Sequence, residues 1–282
     1  MNSIVFMIIA ILPLRAKAFV LKETKWENLR VTWGIDPFNP NNFACMPKTE
    51  QEAMSDGWVK KSYCSAERHF VGMRYWKNQD PSVMLLYDIK GYIAGIQTGI
   101  TKDVKTWSGE DYPFQQQSNA PFVDDGDLYI ITAYFTDPGT ISIVGRTESD
   151  FITHGIGNHL YIQNGILPTD VITAPTNESE VSSTGWTKGK CFRYMGVYYW
   201  YNLRVDMPCS DLFPAFLLYN EGKLSAFGWA LQTNVAGTQR LEHLPTSTFS
   251  LLMKTVPSCL DYPGTVTSLH IYMNTRHSFN KC

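Results

Sequence analysis

The sequence predicts a mainly β protein: two tandem, internally repeated antiparallel β-sandwich or open-barrel domains with disulfide-stapled loops. Three observations lead there. One phrase is written twice along the chain, and in both copies paired apolar runs flank turn residues. No stretch of twelve or more residues sustains the i, i+3, i+4, i+7 apolar spacing of an amphipathic helix.

The repeat comes first because it sets the domain plan. In an ungapped alignment of residues 47–58 with 175–186, Pro47, Glu50, Glu52, Ser55, Gly57 and Trp58 recur as Pro175, Glu178, Glu180, Ser183, Gly185 and Trp186. Further on, Gly72, Tyr75, Trp76 and Asn78 match Gly196, Tyr199, Trp200 and Asn202. Leu85-Leu86-Tyr87-Asp88 ahead of Gly91 then matches Leu217-Leu218-Tyr219-Asn220 ahead of Gly222. Order kept over this many blocks predicts a signal segment at 1–18, a first β repeat domain at 19–155 and a second at 156–282. A residue type shared by both copies serves the common fold, whereas one found in a single copy is free to serve function.

Residues 215–227 place two apolar runs around Asn220-Glu221-Gly222, where glycine can take the left-handed conformation that closes a hairpin of three to four loop residues. Residues 83–96 repeat the pattern with Asp88 and Gly91. Residues 128–136 and 267–274 are rich in β-formers, and in the latter Leu269, Ile271 and Met273 face one side while His270, Tyr272 and Asn274 face the other. A helical turn or two is expected only at residues 50–54. The acidic run at 123–127 lacks the ligand spacing of a calcium loop and reads as a turn into the strand at Leu128.

The apolar run at 4–14, followed by Ala16-Lys17-Ala18, reads as a cleavable secretory signal and is shorter than the roughly 17 residues a membrane span needs. No later stretch reads as a span, so the mature chain is expected to be secreted and extracellular. In that compartment Cys45, Cys64, Cys191, Cys209, Cys259 and Cys282 are all expected in disulfides. If bridges stay within domains, Cys45 pairs with Cys64 and the other four have three pairings. Asn177-Glu178-Ser179 is the one N-glycosylation sequon, expected on an exposed loop. A net charge of −2 without blocks of like charge excludes a nucleic-acid partner and an anionic membrane surface.

No Cys-x-x-Cys, Gly-x-Ser-x-Gly, His-Glu-x-x-His, phosphate-binding or dinucleotide-binding motif is present, so no cofactor or metal is specified. The catalytic candidates are His243 and His270. Aligning Tyr272 with Tyr134 puts His270 where the first copy has Thr132, so the architecture does not demand a histidine there. The ligand-binding candidates are Tyr75, Trp76, Tyr199 and Trp200. Neighbours on a strand point to opposite faces, so at most one of each pair is expected in the core, the other lining a surface or the inter-domain cleft.

These features predict a disulfide-bonded extracellular protein that binds a small molecule, glycan or protein partner through aromatic surfaces or the inter-domain cleft. One alternative is a secreted oxidoreductase or oxygenase acting on an aromatic small molecule, with a His-based metal or acid/base site in the second domain. Another is a toxin-like effector or matrix component.

Overall fold

The structure, a computed structural model, describes residues 25–34, 39–64, 69–106, 109, 112, 121–261 and 263–274. The signal segment at 1–18 and Cys282 lie outside the described residues. Two strands come first, β1 (Arg30–Thr32) and β2 (Phe43–Cys45). Then follow β3 (Val59–Ser62), β4 (Met73–Lys77), β5 (Asp80–Tyr87), β6 (Ile93–Thr101), β7 (Phe122–Asp125), β8 (Leu128–Tyr134), β9 (Leu160–Gln163) and β10 (Val171–Ala174). The remaining strands are β11 (Trp186–Phe192), β12 (Gly196–Tyr201), β13 (Ala215–Asn220), β14 (Lys223–Leu231), β15 (Glu242–Pro245) and β16 (Thr265–Tyr272). Among the described residues helix is confined to α1 (Glu50–Ser55), α2 (Pro138–Ile141), α3 (Glu148–His154), α4 (Phe249–Leu252) and short 3-10 turns. Among the described residues no helix is long and apolar enough to cross a membrane.

The strands form two antiparallel sheets of eight. One runs β10-β9-β8-β6-β5-β4-β3 with β7 also on β8; the other runs β11-β12-β13-β14-β16-β1-β2 with β15 also on β16. Read in opposite directions the two orders correspond strand for strand. The sheets do not follow the 155/156 division, because β9 and β10 complete the first sheet and the chain's opening strands β1 and β2 complete the second. The hairpin at 215–227 is tighter than expected. Glu221 joins Gly222 at positive φ (50° and 78°), and Asn220 pairs directly with Lys223, leaving a two-residue loop.

The sheets face each other across one core that holds Tyr75, Leu85, Ile96 and Ile131 from the first and Leu217, Trp229, Leu269 and Ile271 from the second. Phe135 and Phe227 meet edge to face across it, with ring centroids 6.2 Å apart. The space foreseen as an inter-domain cleft is therefore filled by side chains. Each sheet's other face is covered as well, the first by a cluster around Phe70, Met84, Leu86 and Ile141, the second by one around Trp200, Phe216, Phe249 and Leu252. Burial on both faces makes β13 and β14 read as continuous apolar runs, not alternating ones. It also corrects the expectation for the aromatic pairs: Tyr199 enters the central core while its neighbour Trp200 is buried in the outer cluster, and both are 5% exposed or less. In the first sheet Tyr75 is fully buried and Trp76 half-buried, with the Lys61 ammonium 4.6 Å from its ring.

The residues shared by the two copies make the same contacts twice. Tyr75 donates to the Glu50 carboxylate, which pairs with Lys60 at 2.5 Å; Tyr199 donates to Glu178 at 2.8 Å, and Glu178 pairs with Lys188 at 2.8 Å. Tyr87 donates to the Pro47 carbonyl and Tyr219 to that of Pro175. Thr49 and Glu52 cap α1 reciprocally, which explains a helix at 50–55. At the matching place in the second copy the half-buried Asn177 side chain donates to the Glu180 carboxylate and accepts from Lys223.

The cysteines also depart from expectation. Cys45 and Cys64 are free thiols, because Cys45 ends β2 on the edge of the second sheet while Cys64 follows β3 on the edge of the first. Cys209 and Cys259 are bridged, with Cα atoms 5.4 Å apart and a sequence separation of 50. A loop that long makes the bridge worth about 4 kcal/mol in the chain-entropy model. Cys191 is also disulfide-bonded.

The twin tyrosine-glutamate pairs generate a test. Tyr75→Phe and Tyr199→Phe should each cost about 1–2 kcal/mol by urea unfolding, since each removes one charge-assisted hydrogen bond. The double variant should cost their sum within about 0.5 kcal/mol, as expected of separate sites; strong coupling would mean that the two contacts do not act independently.

Candidate functional site

The outer face of the second sheet is where a residue present in one copy meets a cavity. Backbone register lines up Trp200 on β12, Phe216 on β13, Gly228 on β14, His270 on β16 and Thr32 on β1 in one row. The corresponding row of the first sheet is Trp76, Met84, Gln97 and Thr132. His270 thus occupies the place of Thr132. Gly228 makes the arrangement possible: a Cβ there would lie 2.3 Å from the Phe216 ring and 2.2 Å from the Leu269 carbonyl oxygen. Without it the Phe216 ring reaches over β14 to sit 4.9 Å from the imidazole, centroid to centroid.

The surrounding aromatics are mutually packed. Tyr198 and Trp200 lie parallel at 5.9 Å, Phe216 meets them at 5.2 and 5.4 Å, and Phe249 of α4 stands edge-on to Trp200 at 5.5 Å. Leu252, Val266 and Leu244 complete the apolar wall, while His270, Ser268 and Thr248 supply the polar side chains. Among the described residues no lysine, arginine, aspartate or glutamate lines it. The free volume is about 20 Å³, room for roughly one water-sized group. Pro245 also borders a wider groove of about 460 Å³ on the other side of the Thr246–Thr248 turn and α4.

His270 is 4% exposed, and burial lowers its pKa to about 4, so the ring is neutral at physiological pH. Its Nε2 lies 2.9 Å from the Tyr198 hydroxyl and its Nδ1 3.8 Å from Glu242 Oε2, the latter too long for a hydrogen bond. Glu242 faces the imidazole from β15 and accepts from Ser268 at 3.1 Å. Burial raises the Glu242 pKa, against the Ser268 hydrogen bond and the nearby His243. Among the described residues no lysine or arginine forms an ion pair with Glu242. With a carboxylate on the Nδ1 side, the favourable tautomer is Nδ1–H, leaving Nε2 to accept from the phenol. Burial also raises the Tyr198 pKa far above its ordinary value, so the phenol stays protonated.

The two catalytic candidates do not meet. His243 is exposed on the opposite side of β15 and its Nε2 contacts the Val235 carbonyl at 2.9 Å, whereas its neighbour Glu242 turns inward to His270. The alternation of a strand, applied to Glu242-His243, would have identified the glutamate as the inward partner. Tyr198 was likewise not singled out, although it shares the outer face of β12 with Trp200. Among the described residues no group of three His, Cys, Asp or Glu side chains could hold a metal ion. The acidic pair at 124–125 is committed elsewhere, Asp124 to Lys102 at 2.8 Å and Asp125 to Arg74 at 2.5 Å. No protein family, curated protein or solved structure matches the chain.

The neutral buried His270 makes stability depend on pH. Its folded pKa is depressed from 6.5 to about 4, so the unfolded chain takes up a proton that the folded one refuses, and stability falls as pH drops through that window. The full effect is roughly 3 kcal/mol. Glu242 acts in the opposite sense, because its raised pKa stabilises the fold at low pH and that contribution is lost as pH rises. Urea unfolding of the protein and of His270→Thr at a series of pH values isolates the histidine. The gap between the curves should change by about 3 kcal/mol between pH 6.5 and 4, and parallel curves would refute a buried neutral ring. Gly228→Ala should cost about 1–3 kcal/mol in the same assay, since the added methyl displaces Phe216 or the β16 backbone.

Proposed function

We propose that this chain is a secreted, disulfide-bonded extracellular binding protein, built from duplicated β units, whose ligand is a small uncharged molecule held on the outer face of the second sheet. The observation that carries the reading is His270: a buried imidazole at the foot of an aromatic pocket, in a place where the other sheet has threonine. Apolar pockets with one or two oriented polar groups are the usual form of small-molecule sites. Several features support an uncharged ligand. Among the described residues no charged side chain lines the pocket, the imidazole and phenol are neutral, and a cation or anion would lose its hydration without a partner among them.

Size shapes the proposal further. The inner cavity takes only a narrow apolar end such as a methyl group, so the rest of a ligand lies outside it. A glycan or protein partner fits this geometry less well, since Trp200, Tyr199 and Tyr75 are buried and offer no exposed stacking platform. The oxidoreductase alternative called for His243 beside His270, and that pair is not assembled.

Screening a panel of neutral, cationic and anionic small molecules by ligand-observed NMR tests the reading. Neutral, partly apolar compounds should bind, and His270→Thr should weaken them about tenfold, the worth of one buried hydrogen bond. Preference for charged compounds, or equal affinity in His270→Thr, would remove the proposal.

A further inference from the structure

Beneath the aromatic pocket a row of polar side chains follows end to end, and it can be hydrogen-bonded in two directions. Ser268 Oγ lies 3.1 Å from Glu242 Oε2, and that oxygen is 3.8 Å from His270 Nδ1. On the other side of the ring, His270 Nε2 is 2.9 Å from the Tyr198 hydroxyl, which is 2.9 Å from Met195 Sδ. Strand alternation builds the row. Ser268 and His270 share one face of β16, Glu242 turns inward from β15, and Tyr198 reaches the ring from β12.

Tyr198 has one hydrogen and two acceptors within reach. A bare imidazole nitrogen accepts strongly and a thioether weakly, so while Nε2 carries no hydrogen the phenol turns to His270. Once Nε2 carries one, the imidazole donates to the phenol oxygen, and the phenol's own hydrogen goes to Met195. The choice is made at the far end of the row. A Glu242 carboxylate favours a hydrogen on Nδ1, whereas a Glu242 carboxyl donates to a bare Nδ1 and leaves the ring's hydrogen on Nε2.

We propose that this row is a pH-sensitive switch, in which protonation of Glu242 reverses the tautomer of His270 and turns the Tyr198 hydroxyl from His270 to Met195. One proton enters from solvent. Glu242 gains an O–H, the imidazole exchanges its N–H at Nδ1 for one at Nε2, and the phenol still carries one hydrogen, now facing sulfur. Closing the 3.8 Å gap to hydrogen-bond length takes a shift of about 1 Å at Glu242, whose short strand β15 pairs with β16 at the border of the sheet.

The surroundings set the order of titration. Burial raises the Glu242 pKa and lowers that of His270 to about 4, so on acidification the carboxylate takes the first proton and the ring stays neutral. Around Glu242 stand His270 and Tyr272 on β16, Tyr198 on β12 and, beside it on β15, the exposed His243; Arg30 on β1 lies beyond Tyr272. From β13 and β14 the ring meets the uncharged Phe216 and Gly228. Burial keeps both tyrosines protonated. The outer face of the second sheet therefore answers acidification by losing one buried charge and gaining none.

Nitrogen-15 NMR of the full chain, with labelled imidazoles and His270 assigned by its loss in His270→Thr, reads the tautomer directly, because protonated and bare ring nitrogens resonate far apart. Between about pH 8 and pH 5 His270 should pass from Nδ1–H to Nε2–H without becoming an imidazolium. Glu242→Gln should abolish the pH dependence. Met195→Leu conserves volume and removes the phenol's acceptor in the acid form, so the midpoint should fall by roughly 0.5–1 pH unit. An unchanging tautomer, an imidazolium formed in the same step, or an unmoved midpoint in Met195→Leu would overturn the proposal. The measurement uses no ligand, so the switch and the small-molecule reading stand or fall separately.

Discussion

Burial of both faces of each sheet is the constraint on which the rest of this molecule depends. A sheet with one wet face can discard polar side chains into solvent; here the inner faces share a core and the outer faces carry clusters of their own. Polar side chains on the outer faces then look for partners inside the protein, although Gln97 Oε1, Trp76 Nε1 and Trp200 Nε1 are buried without one. In the first sheet Arg74 pairs with Asp125, and Gln97 donates to Thr132. In the second, Ser268, Glu242, His270 and Tyr198 line up across three strands.

The two sheets share a scaffold and differ in what they place on it. Tyrosine on glutamate, glutamate on lysine and tyrosine on a proline carbonyl recur at aligned positions, and these are among the residues the two copies spell alike. They tie the segment before β3 or β11 to the strands it packs on. The outer rows diverge instead. Gln97 and Thr132 fill the middle of one, while glycine and histidine stand at the same positions in the other, with Phe216 leaning into the room that glycine leaves.

Much of this was legible before any coordinates. The hairpins at Asp88 and Asn220, the strands at 128–134 and 265–272 and the scarcity of helix all follow from local pattern, because turn chemistry and β-formers act over a few residues. The equivalence of His270 and Thr132 came from comparing the copies. Long-range facts were not accessible in that way. That β1 and β2 join the second sheet separates Cys45 from Cys64, and no spacing announces it. The rule that one member of an adjacent pair stays out of the core holds for a sheet with a single buried face, so it misjudged Trp200. Glu242 was passed over because a glutamate beside a histidine draws less attention than the histidine, although strand alternation puts the two on opposite sides.

The electrostatics of the two outer faces differ at one carboxylate each. Each outer face carries a carboxylate on the extra strand of its sheet, the half-buried Asp125 on β7 and the buried Glu242 on β15. Asp125 has a guanidinium at 2.5 Å, so its charge is closed by the chain itself and nothing further is required. Register places Arg74 where the second sheet has Tyr198, a group that can share a proton but cannot supply a charge. Glu242 faces a neutral imidazole and a hydroxyl, and its desolvation is offset only by hydrogen bonding and by the weak field of His243. A buried carboxylate in that position lowers its cost by taking up a proton, as its raised pKa indicates. Tyrosine in the place of arginine thus leaves Glu242 without the charged partner that Asp125 has.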